Sequence, residues 1–217
     1  MSLFADRVRF LQMFVTAPRI VGAIAPSSSG LAEKIVRHAG VAEARRIVEL
    51  GGGTGSFTQR IVRDAPATSS ILSVEINPTF ADLLASRFQR VRVIADSAEH
   101  VRHHMEAAGM VSADCVISGL PWAAFDGDLQ LRLLVAIRSI LEIGGTFTTF
   151  AYLHAAWMPA ARRFRDLLHS FFDTVHQTSV VWRNLPPAFV YRCQRTPSLP
   201  QKNHMTPAEP LALDAAS

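Results

Sequence analysis

The stretch Ile47-Val-Glu-Leu-Gly-Gly-Gly-Thr-Gly-Ser-Phe-Thr-Gln-Arg-Ile-Val62 begins as an apolar strand, passes through a glycine cluster and continues as a helix. A strand that ends in a glycine-rich turn and opens a helix brings backbone N–H groups close to a ligand, and the details decide which ligand. A phosphate-binding P-loop needs Gly-Lys-Ser/Thr at its end, whereas these glycines lead into Gly55-Ser56-Phe57. A dinucleotide fingerprint on Gly51 and Gly53 meets Ser56 where it needs a third glycine. The pattern that fits is E-x-G-x-G-x-G, carried by Glu49, Gly51, Gly53 and Gly55.

Outward from this loop, strands and helices alternate. Apolar runs predict strands at 46–50, 71–75, 91–95, 113–118 and 145–151. Helical spacing predicts helices at 56–64, 79–89, 98–108, 128–141 and 156–171, with Asp126 or Asp128 capping the fourth. Two β-rich runs follow, 173–183 and 188–194, and Asn184-Leu-Pro-Pro-Ala188 between them reads as a hairpin connection. Right-handed crossovers then bring the C-terminal ends of the strands to one edge, where open α/β sheets bind their ligands.

With 217 residues, 49% of them apolar, the chain can bury the core of one domain. No run approaches the roughly 18 apolar residues of a membrane span, and a start carrying Asp6, Arg7 and Arg9 has no signal-peptide pattern, so a cytoplasmic protein is expected. Cys115 and Cys193 fall inside strand-like runs and read as buried thiols. His100, His103 and His104 read as surface histidines, and no metal site is expected. Residues 1–46 hold seven Lys/Arg against three Asp/Glu, 47–150 eight against eleven, and 151–217 seven against four. Basic ends around a mildly acidic centre suggest an anionic partner for the additions to the core.

The E-x-G-x-G-x-G loop resembles motif I of class I methyltransferases that use S-adenosylmethionine and release S-adenosylhomocysteine. The resemblance implies a Rossmann-like α/β fold, with a seven-stranded sheet, an antiparallel last strand and helices on both faces. In it the loop holds the methionine moiety and Glu49 orients the amino group. Glu75, which follows Ile71-Leu-Ser-Val at 20 residues beyond Gly55, stands where an acid accepts both ribose hydroxyls, with Ile76 beside it. Asp96 occupies the place from which the family's third motif contacts the adenine amine. Ser97 is its neighbour, and capping the helix over 98–108 is an alternative role for Asp96.

The fourth strand runs into Asp114-Cys-Val-Ile-Ser-Gly-Leu-Pro-Trp122. Adenine and cytosine amino-methyltransferases carry Asn or Asp there, followed by Pro-Pro-Tyr or Leu-Pro-Tyr. This chain keeps Leu120-Pro121-aromatic and offers Ser118-Gly119 first; a serine lacks the reach of Asn to a flipped base, and Gly119 leaves room for something other than a planar one. The expected assignment puts Ser118 and Gly119 among the cofactor contacts, and the Leu120–Pro121 backbone, Trp122 and Tyr152 around the methyl acceptor. Trp122 would offer a face to a cationic or amine head group, or else fill the core. His154 is a further candidate, as proton acceptor.

Ser-Gly-Leu-Pro at this point resembles the soluble, rhizobial type of bacterial phospholipid N-methyltransferase, which methylates phosphatidylethanolamine stepwise to phosphatidylcholine. The likeness runs from Phe14 to about Arg195 and takes in Gly22-Ala-Ile-Ala-Pro-Ser-Ser-Ser29 and Trp182-Arg-Asn-Leu-Pro-Pro-Ala-Phe-Val-Tyr-Arg192. Ala25-Pro-Ser-Ser28 sits where related RNA adenine dimethylases place their N-terminal cofactor motif, and that resemblance implies that Ser28 contacts the cofactor carboxylate, with capping of a helix over 29–39 as the alternative. Arg183 and Asn184 become candidates for a lipid phosphate, Asn184 alternatively shaping the turn before two prolines. A helix over 3–16 would carry Phe4, Val8, Phe10, Leu11, Phe14 and Val15 on one side, suited to an anionic membrane surface or to covering the cofactor cleft. The domain reading is therefore 1–40 for N-terminal helices, 41–195 for the methyltransferase domain and 196–217 for a disordered tail. An ornithine lipid methyltransferase, an RNA adenine dimethylase-like enzyme, a small-amine methyltransferase and a non-catalytic cofactor-binding module are the alternatives. Nucleic acid is not the expected partner, since only about 22 residues follow Arg195 where such dimethylases carry an RNA-binding domain, and the oligomeric state is left open.

Overall fold

The computed structural model describes residues 28–196. Its strands are β1 (Arg46–Leu50), β2 (Ser70–Glu75), β3 (Val91–Ala95), β4 (Ala113–Ser118), β5 (Leu141–Tyr152), β6 (Thr174–Gln177) and β7 (Ala188–Gln194). They form one sheet in the order β3-β2-β1-β4-β5-β7-β6. β1 to β5 pair in parallel, and β7 lies antiparallel between β5 and β6. The expected seven-stranded sheet with an inserted antiparallel last strand is what the chain forms.

The helices are α1 (Ser29–Ala39), α2 (Ser56–Asp64), α3 (Pro78–Arg87), α4 (Val101–Ala107), α5 (Gly127–Ile140) and α6 (Pro159–Phe171). Strand side chains alternate between faces, so both faces of an internal strand must be apolar to be covered. Val48 and Leu50 join Val116, Leu134 and Phe147 in one core layer, while Ile47 joins Ile35, Ile61, Ile117 and Val190 in the other. Helix α1 enters that second layer through Leu31, Ile35 and Val36, so the expected boundary at residue 40 crosses a shared core. Both cysteines are buried thiols, and burial raises each, Cys115 to about 12.

Three elements differ from expectation. The helix over 98–108 opens as a 3-10 turn, Ala98–His100, before α4 begins. The helix expected from 156 starts at Pro159, because proline fits a first helical turn that needs no N–H from it. The run 173–183 yields only β6, and residues 178–187 form a loop touching β7 through a Val181–Ala188 bridge. Its main-chain bonds to β7 are few, among them Thr178 N–H to Val190 O at 2.9 Å, and side chains add to them: Lys34 Nζ donates to Ser179 O at 2.8 Å, and Val190 N–H donates to Thr178 Oγ1 at 3.1 Å.

At the N-terminal edge of the sheet, Arg46 clasps Asp114, with Nη2 to Oδ1 at 2.6 Å, and also pairs with Glu142. The helix expected over 3–16, residues 22–27 of the flanking motif and the tail from 197 onward lie outside the described residues. Among the described residues, no helix is long and apolar enough to cross a membrane.

Candidate cofactor and amine site

The glycine loop leaves β1 at the C-terminal edge and turns in a conformation that side chains resist. Gly51, Gly53 and Gly55 have φ of +75°, +54° and +92°. Gly51 N–H donates to Val74 O at 2.8 Å, which ties the loop to the end of β2. A Cβ on Gly52 would meet Leu84 Cδ1 at 2.7 Å and the Glu49 carboxylate at 3.0 Å, so the loop lies directly on the side chains beneath it.

Glu49 is one of those side chains. It is fully buried, and its carboxylate accepts hydrogen bonds from Thr58 Oγ1 at 2.8 Å and Ser73 Oγ at 2.7 Å. Burial pushes its carboxyl up to about 7, against the two hydroxyl donors, and nearby Glu75 adds to the rise. The expectation that Glu49 reaches the cofactor's amino group is corrected: it ties α2 and β2 together beneath the loop. Thr58 and Ser73 were not singled out from the sequence, although period-2 alternation puts Glu49 on the same inward face as Ile47.

Glu75 ends β2 where expected. Its Oε2 accepts Gly53 N–H and its Oε1 accepts Asn77 N–H, each at 2.9 Å. Burial raises its carboxyl, partly offset by the N–H groups of Asn77, Gly53 and Ile76. Each oxygen keeps a lone pair, so the side chain can take a ribose diol while steadying the loop. Ile76 is half-buried next to it.

Asp96 follows β3 and is held by a group the sequence reading missed. His104 Nε2 lies 2.6 Å from Oδ2, His100 Nδ1 lies 3.1 Å from the same oxygen, and Ser97 N–H donates to Oδ1 at 2.6 Å. Burial alone would raise this carboxyl, but His104, the Ser97 N–H and His100 hold it below its ordinary value. His104 is therefore no free surface histidine; helical placement four and eight residues beyond Asp96 was the available signal. Ser97, not Asp96, caps the following turn, its Oγ accepting Glu99 N–H at 3.2 Å.

The turn after β4 packs against the glycine loop. Gly119 N–H donates to Leu50 O at 2.8 Å, and a Cβ on Gly119 would lie 2.4 Å from Gly51 O. Glycine is required by this backbone contact, which corrects the idea that it makes room for the acceptor. Ser118 is fully buried, with Oγ accepting Leu120 N–H at 3.2 Å and Trp122 Nε1–H at 3.1 Å. Its hydroxyl thus shapes the turn instead of pointing at the cofactor. Trp122 is buried, stacked on Phe164 at 4.3 Å, so the expected open aromatic face is replaced by a core ring. Gln130, also missed, donates Nε2–H to Trp122 O at 2.8 Å and to Ala160 O at 3.1 Å. The Leu120 and Pro121 carbonyls accept Trp122 and Ala124 N–H, whereas the Gly119 carbonyl accepts none among the described residues.

At the end of β5, half-buried Tyr152 stacks on His154 at 5.8 Å, and burial raises its phenol. Arg183 is exposed in the 178–187 loop. Asn184 is buried, its Oδ1 accepting Ser28 N–H at 2.9 Å and its Nδ2 donating to Pro186 O at 2.7 Å. It is a turn-shaping residue, and the expectation that it binds phosphate is corrected. Ser28 caps α1, with Oγ accepting Leu31 N–H at 3.2 Å.

A glycine cradle whose turns need positive φ, a buried acid at the end of β2 and an acid beyond β3 fit S-adenosylmethionine. No protein-family model matches the chain. The Bacillus cereus O-methyltransferase in complex with S-adenosylhomocysteine superposes with a TM-score of 0.60 at 14% identity, over 88% of this chain and 91% of that one. The Streptomyces achromogenes O-methyltransferase of tomaymycin synthesis, in complex with S-adenosylmethionine, gives 0.62 at 18% identity, over 88% and 89%. At those identities the likeness is one of fold, and fold and site together define a class I S-adenosylmethionine-dependent methyltransferase. An ornithine lipid N-methyltransferase of Singulisphaera acidiphila is 31% identical over 192 residues, 87% of this chain and 96% of that protein. The chain belongs to the methyltransferase family that includes this relative. A probable ribosomal RNA small subunit methyltransferase A of Methanosarcina acetivorans is 30% identical over 150 residues, and the match spans half of that relative's length.

Proposed function

We propose that the chain methylates the primary amine of a membrane lipid at the membrane surface, with ornithine lipid as the leading head group and phosphatidylethanolamine as its competitor. The observation that carries this reading is the turn after β4. With Ser118 Oγ engaged by Leu120 and Trp122, no side-chain amide or carboxylate stands there to grip a flipped base, and an alkyl amine needs neither. The named relative supports ornithine lipid; the likeness of Ser118–Pro121 and Trp182–Arg192 to phospholipid N-methyltransferases supports phosphatidylethanolamine.

S-adenosylmethionine supplies an activated sulfonium methyl, so the chain has to align an amine lone pair, exclude water and let a proton leave. Glu75 and Asp96 hold the ribose and adenine ends through the acceptor positions left by their own partners. The Gly119 carbonyl orients the incoming amine, with Tyr152 along one side and Arg183 at the lipid phosphate or carboxylate. An ammonium loses its proton before attack, to water or to exposed His154 beside Tyr152. The test is methyl transfer from labelled S-adenosylmethionine to vesicles containing ornithine lipid, phosphatidylethanolamine or neither, followed by chromatography of the extract. Label in one amino lipid supports the reading and chooses the head group. Cofactor binding with label in neither lipid refutes it.

A further inference from the structure

We infer that the 153–158 and 178–187 loops form a membrane-docking surface for an anionic phospholipid bilayer. Of the nine large apolar side chains exposed among the described residues, four sit on these two loops: Trp157 (74%), Met158 (48%), Trp182 (69%) and Leu185 (71%). The other five, Leu83, Val111, Leu131, Val135 and Ile143, are distributed over α3, α5, β5 and a loop. The two loops are one surface, since Leu153 N–H donates to Pro187 O at 2.8 Å and Tyr152 pairs with Ala188 where β5 ends and β7 begins.

Charge selects the occupant. No Asp or Glu occurs from 143 to 165 or from 174 to 196, while Arg162, Arg163 and Arg183 are exposed there. Neither Arg162 nor Arg183 forms an ion pair among the described residues. Tryptophan suits the boundary of a bilayer, where its ring is in acyl chain and its N–H in the wet head-group layer, and arginine suits the anionic phosphates above. The position matches the chemistry: Ser118 pairs with Thr149 in β5, and the loops begin just beyond Tyr152 on that strand, at the edge that holds the amine turn. A bilayer docked here presents its head groups to that turn. The inference deepens the lipid reading above and rests on it for the identity of the methyl acceptor only.

The chain has three tryptophans, and buried Trp122 serves as an internal reference. Vesicles of phosphatidylcholine and phosphatidylglycerol doped with brominated lipid are expected to quench the wild type strongly, and to leave the Trp157→Phe/Trp182→Phe double variant unquenched. Wild-type protein that sediments with these vesicles without quenching would overturn the inference, as contact would lie elsewhere. Self-association without vesicle binding would overturn it in favour of a second copy of this chain. Trp157→Ser/Trp182→Ser is expected to lose at least ten-fold of its methyl transfer to vesicles and to keep its activity on a monomeric short-chain amino lipid. Quenching without methylation of any amino lipid refutes the lipid-substrate reading and leaves the surface standing; methylation of the short-chain lipid without quenching does the reverse.

Discussion

Glu49 is buried beneath the glycine loop between Thr58 and Ser73, and its carboxyl titrates at about 7 against an ordinary value of 4.5. Between those values the folded chain holds a proton that the unfolded chain has released, so its contribution to stability falls as pH rises from 4.5 and levels off above 7. The loss is roughly 3 kcal/mol. Thermal melts from pH 4 to 8 should show this decline in the wild type and a smaller one in Glu49→Gln. Equal slopes would mean that Glu49 ionises normally. Glu75→Ala removes the acceptor for Gly53 and Asn77 N–H, and calorimetry should find S-adenosylmethionine bound about 10 to 100-fold more weakly, as befits a charged hydrogen-bonding group. The strand ends that carry Glu75 and Asp96 were legible in sequence, because burial imposes an apolar run on each strand. The direction of a side chain was less so: Ser118 was read toward the cofactor and bonds within its own turn to Leu120 and Trp122, while Glu49 turns toward Thr58 and Ser73, 9 and 24 residues away, and Asn184 toward Ser28, 156 residues away. Local pattern does not carry such tertiary hydrogen bonds.

Among the elements, α5 does more than cover the sheet. Its Gln130 reaches from an otherwise apolar buried face to the Trp122 carbonyl and to Ala160 in α6. Gln130→Leu removes both bonds and leaves two carbonyls without that donor, at a cost of roughly 1–3 kcal/mol. We expect methyl transfer to fall several-fold while S-adenosylmethionine affinity stays unchanged, since the glycine loop is untouched; steady-state kinetics beside calorimetry separates the two. The helices and parallel strands were legible from periodicity because burial imposes it. The 178–187 loop was not, since scattered main-chain bonds together with Lys34 and Asn184 hold it, and a run such as Thr178-Ser-Val-Val181 looks like a strand whether its ladder is continuous or broken.

Across the whole molecule, the glycine loop, Glu75 and Asp96 follow β1, β2 and β3, and the groups proposed for the acceptor follow β4, end β5 or lie in the 178–187 loop. The two sets meet where Gly119 lies on Gly51 O. Gly119→Ala would force backbone apart at that point, so an overpacking cost toward the upper end, about 3 kcal/mol, is expected. For a domain of this size that lowers Tm by roughly 6–12 °C, and a calorimetric scan checks it. Cofactor affinity and turnover should fall together in this variant, unlike in Gln130→Leu.

That meeting point also bears on how such a chain can change over generations. Substitutions around Tyr152, Arg183 or the exposed tryptophans leave the Glu49–Thr58–Ser73 group and the Glu75–Gly53 bond intact, so on the proposed lipid reading a lineage can exchange one head group for another and remain a working methyltransferase throughout. Gly119 has no such freedom: any side chain there is felt at once by the glycine loop that every such lineage must keep.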